Sequence, residues 1–290
     1  MQIAFHIGAN CTDEDRLLKS ILRNSQVLLE QGIAVPGPSK YRSLLRETIQ
    51  GLDGVPPPSD TREILLDAIV EQENITRLVL CNDNFITVPK RVFDHGVFYP
   101  QTEAKIRGIC DLFPHDDLSF FLGIRNPASW LQAVARTAGV TRLRDYLGLL
   151  PPLEITWSSV IKRIKRAAPD APVYVWCTED TPLIWEDLIR LQSGVSDDTK
   201  VTGRHDMISR VVTSQGREAL KLLPSSADRI ERHDTLATIL ETYGDEDLME
   251  DEIDYPEIGQ DLVDALTKSY EADLAVIDAI DGVSLILPFR

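Results

Sequence analysis

Cysteine is scarce in this chain, and long apolar runs are absent. The only four cysteines are far apart and form neither a CxxC pair nor a compact Cys/His cluster: Cys11, Cys81, Cys110 and Cys177. This spacing argues against a zinc site. No stretch approaches the ~20 apolar residues of a membrane-spanning helix, and the chain begins directly on a strand-like run, without a basic and apolar leader. We therefore expect a cytoplasmic protein with no membrane partner.

Positive charge is also in short supply. The chain has 30 lysines and arginines against 46 aspartates and glutamates, which gives a net charge of −16 and an isoelectric point near 4.7. Nucleic-acid partners are not expected, because a phosphate backbone requires a basic face. The apolar fraction of 43% and the length of 290 residues are typical of a globular protein with a substantial core.

Short apolar runs separated by helical patterns predict an α/β fold. Continuous apolar runs that alternate with helices are typical of a parallel sheet covered on both faces. We predict a three-layer fold with a central, mostly parallel sheet of about four to five strands. A last run, Val283–Leu287, would be an added strand or a packed tail. The four core strands are expected at Gln2–Ile7, Arg77–Cys81, Leu118–Ile124 and Pro172–Cys177.

The pattern changes along the chain after Gly194, where it becomes mostly helical. We therefore predict an α/β core over residues 1–195 and a helical region over residues 196–290 that packs on the same domain. Within the second region, residues 241–257 contain nine acids and no base. Such a stretch is typical of an exposed loop or a solvated helix face.

Three consecutive acids follow the first predicted strand. Thr12 is a good N-cap, and Asp15 three residues later resembles the acid of a capping box. Asp13 and Glu14 would then lie in the first helical turn, where the helix macrodipole favours negative charge. The sequence predicts one helix that ends at Gly32, with an apolar stripe of Leu17, Leu18, Ile21, Leu22, Leu28 and Leu29.

Four segments together resemble a known family. The order of HIG after the first strand, LVLCND, FFLGIRNPASWLQAV and a terminal LTKSYEADLAVIDAIDGV is similar to that of bacterial sulfotransferases of the P-loop superfamily. The resemblance implies a P-loop-type fold. It also implies 3′-phosphoadenosine 5′-phosphosulfate (PAPS) as cofactor, and a small-molecule or glycan hydroxyl as the acceptor of its sulfuryl group.

The family's donor loop, His-Ile-Gly-x-His-Lys-Thr-Gly-Thr-Thr, matches this chain only in part. His6, Ile7, Gly8 and Thr12 agree, whereas Cys11 takes the place of the lysine. The family's glycine and two threonines fall on Asp13, Glu14 and Asp15. The resemblance implies that Gly8, Cys11 and Thr12 contact the donor. Arg16 and Lys19 are the two nearby cations that would have to reach back into the loop to replace the missing lysine.

Two further family positions are retained. The motif for the donor's 3′-phosphate places an arginine at a strand end, which is Arg125 here, and Trp130 continues the match. The resemblance therefore implies that Arg125 and Trp130 contact the donor. The serine expected eight residues after the arginine is Ala133. Asp83 falls on the family's glutamate, which implies a general base for the acceptor hydroxyl. A strand-end aspartate also caps the loop that follows it, and the sequence leaves both roles open.

Three functions remain open from the sequence. The first is an active sulfotransferase with an altered donor site. The second is a non-catalytic binding module on the same fold, for which a protein partner is expected. In the third, Asp13, Glu14 and Asp15 hold a divalent cation with Asp83, and the cation meets a phosphate. Adjacent acids on one helical turn diverge by about 100° per residue, so no metal is expected from this set.

Overall fold

A six-stranded, all-parallel sheet forms the centre of the protein. The computed structural model describes residues 1–223, 228–249, 253–255 and 257–289. The strand order is β2-β3-β1-β4-β5-β6, and every neighbouring pair is parallel. The strands are β1 (Gln2–His6), β2 (Ile33–Ala34), β3 (Arg77–Cys81), β4 (Asp117–Ile124), β5 (Val173–Cys177) and β6 (Val283–Ile286).

The predicted fold class is confirmed, and the sheet has more strands than expected. The four predicted core strands are all present, and the run near the C-terminus is a strand that pairs with β5. The unpredicted strand is β2, which has only two residues and pairs with Arg77 and Leu78 at the start of β3. A two-residue strand carries no periodicity from which it could be recognised.

Helices cover both faces of the sheet. In chain order they are α1 (Arg16–Leu22), α2 (Ser25–Leu29), α3 (Arg42–Leu52), α4 (Thr61–Ile69), α5 (Thr102–Leu112), α6 (Pro127–Ala138), α7 (Leu143–Leu147), α8 (Trp157–Ala167), α9 (Thr181–Ser193), α10 (Ile208–Val211), α11 (Ser214–Lys221), α12 (Arg229–Tyr243), α13 (Glu246–Met249) and α14 (Gln260–Asp278). None of the helices in the described part of the chain combines the length and apolar character needed to cross a membrane.

The alternation of side chains along β1 separates two cores. Ile3, Phe5 and Ile7 pack with residues of α3 to α8 and α14, whereas Ala4 packs with α1, α2 and α9 on the opposite face. Both faces are apolar because every interior strand of a parallel sheet is covered twice. A smaller cluster between α10, α11 and α12 adjoins α9 through Leu183. Residues after 195 therefore contribute both to this cluster and, through α14 and β6, to the main core.

The first helical region differs from the prediction in two ways. It is divided into α1 and α2, and α1 begins at Arg16 rather than at Asp13. Glu14 and Asp15 have φ angles of 53° and 62°, so the chain is left-handed there and cannot yet be helical. The prediction of Thr12 as N-cap is wrong, because its hydroxyl donates to the Ala9 carbonyl oxygen at 2.7 Å.

The acidic stretch is only partly a solvated surface, since two of its acids are bound to neighbouring helices. Residues 250–252 and 256 lie outside the described residues. Asp254 forms an ion pair with Arg136 of α6. Glu257 accepts hydrogen bonds from the backbone N–H groups of Leu143 and Arg144, the first residues of α7. Glu257 therefore caps α7, a short helix that lies far from it in the sequence.

Histidine 205 gives a prediction for stability against pH. Burial lowers the pKa of His205 to about 4, and its Nε2 atom is buried without a hydrogen-bond partner among the described residues. In the unfolded chain the histidine pKa is about 6.5. Between these two values the unfolded state takes up a proton that the folded state does not, so stability falls as pH is lowered through this window.

We expect urea denaturation of His205→Gln to show a smaller loss of unfolding free energy between pH 7 and pH 4.5 than the wild type. Glutamine keeps a polar side chain of similar length and does not titrate. Equal losses in the two proteins would contradict the role of His205.

Candidate functional site

The candidate site lies at the carboxyl ends of β1, β3 and β4. After β1 the chain adds β2 and β3 on one side of it, and then crosses to form β4 on the other side. Open parallel sheets bind ligands at such a switch point, because the loops after the two central strands diverge there and leave a crevice. Both predicted donor segments, the loop after β1 and Arg125 after β4, border this position.

Asn10 holds the loop after β1 in place. Its Nδ2 donates to the Asp83 carbonyl oxygen (3.0 Å), to Asn84 Oδ1 (3.0 Å) and to the Thr87 carbonyl oxygen (3.3 Å). The Tyr99 hydroxyl donates to Asn10 Oδ1 at 2.8 Å and accepts from the Asn10 backbone N–H at 3.1 Å. The amide group is fully used, and it ties the loops after β1 and β3 together. Sequence reasoning did not single out Asn10.

Trp130 and Gly8, which were predicted to contact the donor, instead support the conformation of the loop after β1. Trp130 is 0% exposed and donates from Nε1 to the Asn10 carbonyl oxygen at 2.8 Å. Trp130 therefore supports the loop from the core and is not itself exposed in the site. Gly8 has a φ of +118°, and a Cβ there would lie 3.2 Å from the Asp83 carbonyl oxygen. Glycine is required because the two loops approach closely and the backbone is left-handed.

The Asp13 carboxylate accepts hydrogen bonds from the backbone amides at the beginning of α1. Its Oδ1 accepts from the Asp15 backbone N–H (3.1 Å) and its Oδ2 from the Leu17 backbone N–H (3.0 Å). These are groups that a phosphate would contact in a P-loop cradle. A carboxylate of the chain itself therefore stands where the donor's phosphosulfate would be bound.

The other two acids of the loop are paired with arginines. Glu14 contacts Nη2 of Arg16 at 2.5 Å. Asp15 accepts two bonds from Arg42, at 3.0 Å from Nη1 and 2.5 Å from Nη2. Arg16, which was predicted to approach the donor, thus lies beside Glu14 at the margin of the loop.

Asp13 and Asp83 have no such partner. Among the described residues, no lysine or arginine forms an ion pair with either carboxylate, and the Asp83 carboxylate accepts no hydrogen bond. Burial raises the pKa of Asp83 to about 8, and the charges of Asp13 and Asp15 act in the same direction. A carboxyl group with this pKa is suited to take up a proton near neutral pH.

His6 completes a three-residue cluster with these acids. It is the last residue of β1 and lies opposite Cys81 in the β1–β3 register, so Asp83 follows two residues beyond. One ligand atom each of His6, Asp13 and Asp83 lies within 4.8 Å of the others. Burial lowers the pKa of His6 despite the opposing charge of Asp13, so the ring is neutral near pH 7.

Arg125 lies between the two central loops. Its Nε donates to Ser129 Oγ at 3.0 Å, and its Nη1 donates to the Cys11 carbonyl oxygen at 3.2 Å. The family's serine position, Ala133, has no hydroxyl. Ser129, one turn into α6, supplies a hydroxyl beside the arginine instead, which sequence reasoning missed.

The Cys11 side chain lines a small hollow at the carboxyl end of the sheet. Its Sγ lies 3.3 Å from Thr137 Oγ1, and burial raises the pKa of the thiol. The thiol therefore stays protonated and supplies no charge at the position of the family's lysine. The hollow has a volume of about 520 Å³, and Asp83, Lys90 and Arg125 also line it.

A larger cleft of about 990 Å³ adjoins this hollow and shares Glu14 and Arg125 with it. Helices after residue 195 form its far wall. Four arginines line the cleft, two from the α/β core and two from these later helices: Arg16, Arg125, Arg210 and Arg217. Glu14 and Glu179 are the acidic residues of its lining in the described chain. Among the described residues, the lining of the cleft therefore has more cationic than anionic side chains, although the protein as a whole is acidic.

Comparison of the chain with family models, with curated proteins and with solved structures finds no match in any of the three. The resemblance to bacterial sulfotransferases therefore depends on the quoted motifs alone.

Removal of the Asn10 amide tests the support of the loop. Asn10→Ala leaves the buried Thr87 carbonyl oxygen without its donor and the Tyr99 O–H without its acceptor. We expect the free energy of unfolding in urea to fall by roughly 2–4 kcal/mol, since each unsatisfied buried group costs about 1–3 kcal/mol. Asn84→Ala, which removes one acceptor of the same amide, should cost about 1 kcal/mol or less. Equal effects of the two substitutions would contradict the central role of Asn10.

Proposed function

We propose that the protein binds a small molecule bearing phosphate or sulfate groups in the cleft at the carboxyl ends of β1, β4 and β5. The observation that carries this proposal is the convergence of four arginines on one cleft, although the protein has a net charge of −16. Guanidinium groups match the planar oxygen pairs of phosphate and sulfate better than ammonium groups do. Ligands of open parallel sheets also bind at this edge.

Arg125 is the expected centre of the anion site. Bonds to Ser129 and to the Cys11 carbonyl oxygen fix its guanidinium between the loops after β1 and β4. Arg210 approaches from the opposite wall, and its side chain makes no hydrogen bond or ion pair with any described residue. The two cations therefore face the same space from separate elements, an arrangement that suits a ligand with more than one anionic group.

The pose expected from the family's donor loop is disfavoured. Asp13 already occupies the Asp15 and Leu17 amides, and Cys11 supplies no cation in place of lysine. We therefore place the anion beside Arg125 and not within the loop. Nucleotide recognition itself is an expectation from the resemblance, and adenosine 3′,5′-bisphosphate, the product of PAPS-dependent transfer, is the matching probe.

We expect adenosine 3′,5′-bisphosphate to bind the purified protein in calorimetry at low salt. Arg125→Ala and Arg210→Ala should each weaken binding by about 10- to 100-fold, because a hydrogen bond to a charged group contributes roughly 1.5–3 kcal/mol. Arg107→Ala, on the exposed side of α5 and paired with Glu103, is the matched control and should bind as the wild type does. Absence of binding, or equal affinity in all three variants, would contradict the proposed cleft.

Sulfuryl transfer is a second candidate function, and the position of Asp83 favours it. Its unpaired carboxylate lines the hollow next to Arg125. In this reaction Asp83 takes the proton of the acceptor hydroxyl while the hydroxyl oxygen attacks the sulfur of PAPS. The bond from sulfur to the bridging phosphate oxygen breaks, and adenosine 3′,5′-bisphosphate leaves.

We expect PAPS and a panel of hydroxyl compounds, glycans included, to yield adenosine 3′,5′-bisphosphate. Asp83→Asn should slow its release by about 10²–10⁴-fold, the usual contribution of general acid–base catalysis. If the bisphosphate binds but is never released from PAPS by any acceptor, transfer is excluded under these conditions. The non-catalytic binding module then stands in its place.

A further inference from the structure

Three chain segments bring His6, Asp13 and Asp83 together at one end of the sheet. The parallel register of β1 and β3 sets His6 beside Cys81, and the Asn82 backbone N–H donates to the His6 carbonyl oxygen at 2.9 Å. Asp83 follows directly. Asp13 is fixed independently by its bonds to the Asp15 and Leu17 amides. The cluster is therefore held by backbone structure and not by the three side chains contacting one another.

His6 has a buried nitrogen with no partner. The side chain is 1% exposed, and its Nε2 accepts from or donates to nothing in the described structure. The ring packs against Trp176, with centroids 5.3 Å apart, which limits its orientations. Native proteins rarely leave a buried polar atom unsatisfied, and a bound metal ion would satisfy this nitrogen. One ligand atom of this ring lies within 4.8 Å of carboxylate oxygens from both aspartates.

Two carboxylates of the cluster have no cationic partner among the described residues. The loops after β1 and β3 carry four acids, and Arg16 and Arg42 pair with Glu14 and Asp15 respectively. Asp13 and Asp83 remain. Lys90 lines the same hollow as Asp83 but forms no ion pair with it. Neither carboxylate has a cationic partner among the described residues, and a divalent ion between them would supply one.

The ligand types limit the ion. Two carboxylates and one imidazole fit divalent ions that accept both oxygen and nitrogen, such as Mn²⁺ and Zn²⁺, better than they fit Mg²⁺ or Ca²⁺, which take oxygen ligands. Bonds of about 2.0–2.2 Å place ligand atoms roughly 3 Å apart, so the three side chains would close by a small movement. Three protein ligands would leave further positions for water or for an anion from the hollow.

We propose that His6, Asp13 and Asp83 form a binding site for one divalent transition-metal ion of the Mn²⁺ or Zn²⁺ type. The site differs from the acidic set considered from the sequence, since Glu14 and Asp15 are held by arginines and His6 takes their place. Of its three residues, Asp83 lines the hollow next to Arg125. The metal site lies beside the proposed anion cleft. Its test does not require anion binding, because the metal alone is the probe.

The test is metal binding by the 290-residue protein after treatment with a chelator and exchange into metal-free buffer. We expect calorimetry to show one saturable site for Mn²⁺ and for Zn²⁺, each bound at least 10-fold more tightly than Mg²⁺. Pulsed electron paramagnetic resonance of the Mn²⁺ complex should show coupling to a histidine nitrogen. That coupling separates the site from diffuse attraction of cations to an acidic protein.

Variants assign the ligands. Asp83→Asn keeps the shape of the side chain, and the Asp83 carboxylate has no hydrogen bond among the described residues to lose. The variant should therefore fold as the wild type does and bind metal at least 10-fold more weakly. His6→Gln should remove the nitrogen coupling. Glu14→Gln is the matched control, because it removes one negative charge from the same loop without removing a ligand, and its affinity should change by less than threefold. Melting temperatures without metal verify that each variant is folded.

Three results would overturn the proposal. The first is the absence of a saturable site in the wild type. The second is equal weakening by Asp83→Asn and Glu14→Gln, which would mean attraction by net charge alone. The third is a Mn²⁺ complex without nitrogen coupling, or a preference for Mg²⁺, which would exclude His6 as a ligand. The metal titrations contain no nucleotide, so their outcome does not depend on whether the cleft binds adenosine 3′,5′-bisphosphate.

Discussion

The hydrogen bonds of the Asn10 amide are the constraint on which the site depends. They join the loop after β1 to the loop after β3, and the indole N–H of Trp130 completes the support from the core. With the loop held in this way, Gly8 passes close to the Asp83 backbone and Asp13 reaches the beginning of α1. The Asn10 network sets the position of the two loops relative to each other. Asp13 is then fixed by its own bonds to the Asp15 and Leu17 amides, and Asp83 by the pairing of β1 with β3.

The charges at the carboxyl end of the sheet are separated by sign. Asp13 and Asp83, which form no ion pair among the described residues, lie in the loops after β1 and β3, whereas four arginines and two described acids line the cleft toward β4 and β5. Arg125 and Glu14 lie on the boundary, since both line the hollow and the cleft. A cation at the first position and an anion at the second would attract each other. The same boundary explains why a phosphate cradle in the loop itself is disfavoured.

The sequence was sufficient for the architecture and insufficient for the site. Apolar runs predicted β1, β3, β4 and β5, because strands buried on both faces leave a continuous apolar signal. The N-cap prediction failed at Thr12 because two left-handed residues, Glu14 and Asp15, delay the helix, and single-residue conformations have no periodic signature. The metal cluster was out of reach because His6 meets Asp83 only through the pairing of β1 with β3. Arg210 likewise comes to the cleft from a four-residue helix with no motif of its own.

The measurement that tests the central claim most directly is a crystal structure of the protein grown with Mn²⁺ and adenosine 3′,5′-bisphosphate, with anomalous data for the metal. The loop after β1 is expected to carry an anomalous peak between His6, Asp13 and Asp83, with a phosphate of the nucleotide against Arg125. Asp13 should still accept from the Leu17 amide. A phosphate bound to the Asp15 and Leu17 amides, with Asp13 displaced and no metal beside His6, would contradict this account and restore the P-loop pose.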